Sequence, residues 1–142
     1  MAEKLTATSD IEIKAEPAGV WAALTDLELL SQAFFGAKVE TDWHEGSPIT
    51  FSGEWEGKQF QDKGEILKVK PNRLLRFTHF SPLSGQPDVP ENYHTVTFEL
   101  TPGEGSTEVT ISQTNAASEQ ERKHSAANWA KVLESLKKLT ER

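Results

Sequence analysis

The sequence predicts an α+β protein in which a curved antiparallel sheet of six to seven strands wraps around a long C-terminal helix. Residues 118–142 carry the clearest helical pattern in the chain. Two short helical segments follow a first strand, and six alternating segments stand between them and the long helix. Runs of strands kept apart from helices are typical of α+β proteins with an antiparallel sheet. The length of 142 residues predicts a single domain over residues 1–142.

The long helix has a clear start and one apolar stripe. Ser118 is followed three residues later by Glu121, which is the spacing of a capping box. About 24 residues at roughly 1.5 Å each span on the order of 36 Å. A sheet must therefore cover the stripe, which consists of Trp129, Val132, Leu133, Leu136 and Leu139.

The first strand and the two short helices precede the sheet. Residues 6–16 alternate through Ile11 and Ile13, which is the period of a half-buried strand. Pro17 suits the first turn of a helix, where a missing N–H is harmless. Either Thr25 or Asp26 starts a second helix. We therefore expect helices over 17–25 and 27–33.

After the second short helix the apolar period changes from helical to alternating. The apolar phase slips between Ile66 and Leu67, which predicts a β-bulge near Gly64. Residues 81–91 form a loop with three prolines and a glycine, and this loop is either a plain connection or a lid. The alternation predicts six strands, around residues 39–43, 49–55, 58–70, 73–80, 93–100 and 107–113.

Composition and charge exclude several functional classes. The chain has 15 Lys and Arg against 22 Asp and Glu, a net charge of −7. An acidic chain without a basic cluster is a poor ligand for nucleic acid or anionic membranes. The absence of cysteine removes disulfides, thiolate zinc sites and a thiol nucleophile. No apolar run approaches 18 residues and residues 1–10 lack a signal-peptide core, so we expect a cytoplasmic protein without membrane insertion.

The order of several segments resembles a known family. These segments are PAGVWAALTDLELLSQAF, FSGEWEG, GEILKVKPNRLLRFTHF, PENYHTVTFELTPGEGSTEVTISQTN and NWAKVLESLKKL. Together they resemble the activator-of-heat-shock-protein-90-ATPase-homologue-like branch of the START/SRPBCC helix-grip superfamily, over about Thr8 to Leu139. The resemblance implies a helix-grip fold with a cavity between the sheet and the long helix. Members of the superfamily bind lipids, sterols, polyketides and other apolar molecules, and some are cyclases or hydrolases. The family has no shared catalytic motif, so the resemblance implies no catalytic residue.

Strand pairing predicts which side chains face the long helix. Apolar residues stay on one face if Leu75 opposes Phe98 and His79 opposes His94, because burial of one face fixes register. If TPGEGS is the next turn, Ile111 opposes Val96 and Gln113 opposes His94. The consequence is a polar row at one end of an apolar concave face, made of His79, His94 and Gln113.

A mostly apolar pocket with a few placed polar groups is the usual form of a small-ligand site. We therefore predict a cavity walled by Phe51, Trp55, Phe77, Val96, Phe98, Ile111 and Trp129, with the polar row near its mouth. Arg122 and Ser125 extend the Trp129 stripe toward the start of the helix and complete the predicted site. The aromatic residues also serve as ordinary core, and His79 and His94 are alternatively strand-end histidines bonded to a carboxylate or water.

Three classes of function are compatible with this pattern. The first is binding of an apolar or amphipathic small molecule in the cavity. The second, which rests on the family resemblance, is an effector of the heat-shock-protein-90 ATPase or another partner-binding module. The third is a cavity-based cyclase, isomerase or hydrolase with His79 or His94 as base. Two histidines without a third ligand nearby argue against a metal site, because zinc usually takes three or four protein ligands. We also expect no cofactor.

Overall fold

Seven strands form one antiparallel sheet in the order β1-β7-β6-β5-β4-β3-β2. The computed structural model describes residues 5–34, 36–55, 57–82 and 85–141, apart from the side chain of Trp55. The elements in chain order are β1 (Leu5–Ile13), α1 (Pro17–Leu24), α2 (Leu27–Ala33), β2 (Lys38–Glu40), β3 (Pro48–Trp55), β4 (Lys58–Lys70), β5 (Leu74–His79), β6 (His94–Pro102), β7 (Thr107–Ala116) and α3 (Glu119–Thr140). This is the predicted helix-grip architecture.

The helix starts follow the predicted capping chemistry with one difference. Asp26 caps α2, because its Oδ1 accepts hydrogen bonds from the backbone N–H groups of Glu28 (3.0 Å) and Leu29 (3.2 Å). At α3, Ser118 Oγ accepts from the N–H of Glu121 at 3.1 Å. The Glu121 carboxylate accepts from the N–H of Ala117 at 2.9 Å, one residue earlier than in a regular capping box.

The C-terminal half of α3 forms the helical side of the core. Val132, Leu133 and Leu136 are almost completely buried. Leu139 and Trp129, at the two ends of the predicted stripe, are half-buried. The helix is also tied to the first strand, since Ser9 Oγ donates to the carbonyl oxygen of Ala126 at 2.6 Å.

The predicted register of β6 with β7 is wrong by two residues. Gln113 pairs with Val96, and Ile111 pairs with Phe98. Pairing continues as far as Pro102 and Thr107, so the turn has four residues, 103–106, and not the six assumed from the sequence. The predicted β5–β6 register is confirmed, with His79 opposite His94.

The strand predicted over residues 39–43 is shorter than expected. Only Lys38–Glu40 is extended and paired with β3. Trp43 has a φ of 62°, which lies in the left-handed region and is incompatible with a continuing strand. The Oδ1 of Asp42 accepts the backbone N–H of His44 at 3.0 Å and supports this turn.

Gly64 lies where two strands approach too closely for a side chain. The pairing of β4 with β5 does shift, but between Ile66 and Lys68, so the predicted bulge lies two to four residues further along. A Cβ atom at Gly64 would lie 1.7 Å from the carbonyl oxygen of Thr78. The sequence signal at Gly64 therefore marks a close backbone approach.

We expect Gly64→Ala to destabilise the fold by about 1–3 kcal/mol, because the backbone of Thr78 must move to admit a methyl group. Gly19→Ala is the matched control, since a Cβ there meets its nearest atom at 3.8 Å on a helix where alanine is preferred. Urea unfolding of both variants measures the difference. Equal stability of the two variants would contradict the close approach.

Leu136→Ala is expected to lower the free energy of unfolding by about 2–5 kcal/mol, because it opens a cavity under α3. Leu136 is 1% exposed, whereas Leu67 is 41% exposed. Leu67→Ala therefore serves as control and should change stability by about 0.5 kcal/mol or less. Chemical unfolding monitored by circular dichroism distinguishes the two, and a small effect at Leu136 would rule out the packing described for α3.

Candidate functional site

A cavity of about 560 Å³ lies between α3 and the concave face of the sheet. We call it the sheet–helix cavity. Its volume is within the usual range for small-molecule sites, roughly 300–1,000 Å³. Strands β3, β4, β5 and β7 supply the floor, α3 supplies the roof, and the segment after α2 supplies one side. The lining residues are Phe34, Ala37, Phe51, Phe60, Asp62, Phe77, His79, Gln113, His124, Ser125, Asn128, Trp129, Lys131 and Val132.

Aromatic rings in mutual contact form the apolar wall. Phe51 stacks on Phe34 with ring centroids 5.4 Å apart, and it contacts Phe77 at 5.8 Å. Trp129 meets Phe34 edge to face at 5.6 Å. Offset-stacked and edge-to-face pairs are favourable arrangements of aromatic rings. These contacts hold the wall in place without a ligand.

Strand alternation places an acidic side chain in this wall. Side chains two residues apart on a strand point to the same face. Phe60 and Asp62 precede the fully buried Ile66 by even numbers of residues and so share its concave face. His79 follows the buried Phe77 in the same way on the neighbouring strand.

Asp62 and His79 form a hydrogen-bonded pair at the cavity wall. His79 Nε2 and Asp62 Oδ2 are 2.9 Å apart. A carboxylate only accepts hydrogen bonds, so the proton of this bond is on Nε2 of His79. The side chain of His79 is 27% exposed and that of Asp62 is 17% exposed. The imidazole also meets Phe51 edge to face at 5.6 Å, which fixes its plane.

The second oxygen of Asp62 has no donor. Oδ1 is covered and lacks a hydrogen-bond partner, and it is alone in this among the buried side-chain nitrogens and oxygens of the described residues. Buried polar atoms are paired in the large majority of cases. The carboxylate of Asp62 can therefore accept a further hydrogen bond that the described residues do not supply.

Gln113 and Trp129 connect the sheet to the helix across the cavity. Trp129 Nε1 donates to Gln113 Oε1 at 2.7 Å. This bond satisfies the indole N–H and orients the ring, which also meets Phe98 edge to face at a centroid distance of 6.0 Å. The indole is thus held by its N–H and by its ring, as expected for a half-buried Trp with a polar handle.

Six of the predicted site residues line the cavity, namely Phe51, Phe77, His79, Gln113, Ser125 and Trp129. Val96, Phe98 and Ile111 lie behind the wall instead, as fully buried core residues. Trp55 belongs to β3, but its side chain lies outside the described part of the structure. Apart from Trp55, the strand residues among these face the concave side of the sheet, and their depth separates the lining residues from the core.

His94 and Arg122 do not line the cavity. Nδ1 of His94 donates to the carbonyl oxygen of Thr114 at 2.8 Å, at the end of β6. The predicted polar row is broken, because Gln113 pairs with Val96 and not with His94. Arg122 forms an ion pair along α3 with Glu119, and its guanidinium holds the pKa of that carboxyl below its usual range.

Eight lining residues were not predicted from the sequence: Phe34, Ala37, Phe60, Asp62, His124, Asn128, Lys131 and Val132. Counting back by twos from Ile66 identifies Phe60 and Asp62. The exposed residues His124, Asn128 and Lys131 have i, i+4, i+7 spacing, and we call them the α3 rim. A polar helical face is ordinarily solvent-exposed, so the sequence does not distinguish the rim residues from other surface residues of the helix. Phe34 follows α2, and no sequence signal folds it over the cavity.

Asp88 holds the described part of the 81–91 loop on the other side of the sheet. Asp88 pairs with Lys63 and accepts a hydrogen bond from the Tyr93 hydroxyl at 2.6 Å. The bond from Lys63, followed by the bond from Tyr93, holds the pKa of Asp88 below its usual range. Lys63 follows Asp62 on β4 and therefore faces away from the cavity. None of the described loop residues lines the cavity.

Two further features concern metals and membranes. In the described ranges, no three His, Asp or Glu side chains converge on a position that could hold a metal ion. None of the helices in these ranges has the length and apolar character that crossing a bilayer requires.

Comparison with known proteins identifies the family. The sequence profile described as "Activator of Hsp90 ATPase homolog 1-like protein" matches residues 14–141. The chain belongs to this family. No curated protein matches the sequence. The Hsp90 ATPase activator homologue 1-like family is the branch that the sequence resembles, so that prediction is confirmed.

Solved structures agree with the fold. A protein from Cytophaga hutchinsonii is 46% identical, and the match covers 99% of this chain and 97% of that one with a TM-score of 0.85. A Mesorhizobium loti protein is 24% identical, with 95% and 96% coverage and a TM-score of 0.78. The Aha1 dimer from Colwellia psychrerythraea is 23% identical, with 96% coverage of both chains and a TM-score of 0.73. The last two similarities show the fold alone.

Proposed function

We propose that this protein binds an apolar or amphipathic small molecule in the sheet–helix cavity. The observation that carries the proposal is the aromatic wall around about 560 Å³ of space. Phe34, Phe51, Phe77 and Trp129 contact one another there. Ligand sites are typically concave, mostly apolar and largely preformed, with a few polar groups that orient the ligand.

The driving force for binding is the removal of this wall from water. Protein interiors are close-packed, and voids larger than a water molecule are few. Each 100 Å² of apolar surface covered by a ligand contributes roughly 2.5 kcal/mol before the costs of association. A ligand that contacts three or four of the rings thus gains useful affinity from apolar contact alone.

The α3 rim supports the amphipathic form of the ligand. His124, Asn128 and Lys131 are exposed and line the cavity. A ligand whose apolar body lies against the rings can therefore keep a polar end at the rim, in water or in contact with these side chains. The polar groups deeper in the cavity are Asp62, His79 and Gln113.

Partner binding, including action on the chaperone that gives the family its description, is the second functional class. A protein interface needs a core of apolar or aromatic surface. In the described part of the chain, Leu67 is the large apolar side chain with substantial exposure. The exposed surface therefore supports a protein partner less well than the cavity supports a small molecule.

Ser125→Trp is expected to weaken binding of the neutral fluorescent probe N-phenyl-1-naphthylamine by about tenfold or more, because the indole occupies the cavity that Ser125 lines. Ala127→Trp is the matched control, since Ala127 is an exposed residue on the same helix outside the lining set. Titration of probe fluorescence measures both affinities, and thermal unfolding checks that both variants fold.

Two outcomes would contradict the proposal. One is absence of probe binding to the unsubstituted protein, or to any member of a wider set of apolar molecules. The other is equal loss of affinity in both variants, which would place the bound probe elsewhere on α3.

A further inference from the structure

We infer that the ligand carries a neutral hydroxyl group that donates a hydrogen bond to the carboxylate of Asp62. This inference rests on the proposed function, because it names the chemistry of the molecule that occupies the sheet–helix cavity. It begins from the oxygen of Asp62 that the protein leaves without a donor.

The hydrogen-bonding capacity of Asp62 exceeds what the protein supplies. A carboxylate has about four acceptor positions on its two oxygens. His79 Nε2 occupies one of them, at 2.9 Å from Oδ2, and Oδ1 has no partner among the described residues. An acceptor that stays buried without a donor is unfavourable, more so when it is charged. A ligand donor removes this penalty.

Asp62 is placed where a ligand in the cavity can supply the missing hydrogen-bond donor. Asp62 lines the cavity beside His79 and Phe60. Each oxygen of the carboxylate has about two acceptor positions, so a hydroxyl group of a ligand in the cavity can donate to Asp62 while His79 keeps its bond to Oδ2. The edge-to-face contact of His79 with Phe51 keeps the imidazole, and with it the carboxylate, at the wall.

Charge in the cavity favours a hydroxyl group over an ionised one. An ammonium group at Asp62 would share the cavity with Lys131 and His124, and its removal from water is costly. An anionic group would face the carboxylate itself. A hydroxyl group donates a hydrogen bond to Asp62 without a charge of its own.

The test is a series of four probes on one apolar scaffold: naphthalene, 2-naphthol, 2-methoxynaphthalene and 2-naphthylmethylamine. Isothermal titration calorimetry at neutral pH gives their dissociation constants for the unsubstituted protein. We expect 2-naphthol to bind about tenfold or more tightly than naphthalene and 2-methoxynaphthalene, since hydrogen bonds to charged groups contribute strongly. The amine should bind less tightly than 2-naphthol.

Substitutions at Asp62 then test whether the preference for 2-naphthol depends on this residue. In Asp62→Leu the ratio of the naphthalene and 2-naphthol dissociation constants should fall to about one, because the acceptor is lost. Asp62→Asn keeps an acceptor oxygen and should retain an intermediate ratio. Asp88→Leu is the control, since Asp88 pairs with Lys63 on the other side of the sheet, and its ratio should match that of the unsubstituted protein.

The outcomes separate the two proposals. If no naphthalene binds, the proposed function fails and the inference fails with it. If all four bind alike, the cavity is a ligand site but the hydroxyl inference is overturned. Tightest binding of the amine also overturns it, as does a preference for 2-naphthol that persists in Asp62→Leu. Should Asp62→Leu not fold, the probe series on the unsubstituted protein still decides.

Discussion

The packing of the α3 stripe against the sheet is the constraint on which the rest of this structure depends. Val132, Leu133 and Leu136 fill the space between helix and strands and are almost fully buried. Toward its N-terminus the same helical face carries Ser125 and Asn128, which line a cavity. One half of α3 thus closes the core while the other half roofs an open volume. A helix with an apolar stripe along its whole length would close the space by packing into it.

Trp129 stands at the boundary between these halves and serves both. Its N–H is bonded to Gln113, and its ring meets Phe98 of the core and Phe34 of the cavity wall. The hydrogen bond and the ring contacts tie the helix to the sheet beside the cavity. Ser125 and Asn128, on the part of the helix before Trp129, line the open space, and the family fold supplies the surrounding strands.

The sequence predicted the elements well because their signals are local. Pro17 and the Ser118–Glu121 spacing mark helix starts, and alternation marks strands. The β6–β7 register failed because TPGEGS was read as a six-residue turn, although pairing extends to Pro102 and Thr107. Asp62 was missed because its contribution depends on a neighbouring strand and on the enclosure of its oxygen. The sequence also does not show how deeply each inward-facing side chain is buried. Val96 and Ile111 face inward, but they are core residues beneath the cavity.

NMR can show directly where a probe binds on this protein. Intermolecular nuclear Overhauser effects between N-phenyl-1-naphthylamine and isotopically labelled protein report which side chains it touches. Binding in the sheet–helix cavity predicts contacts to the rings of Phe51 and Phe77 and to the indole of Trp129, which line the cavity. Contacts confined to Tyr93 and Lys63, which pair with the 81–91 loop on the other side of the sheet, would contradict it.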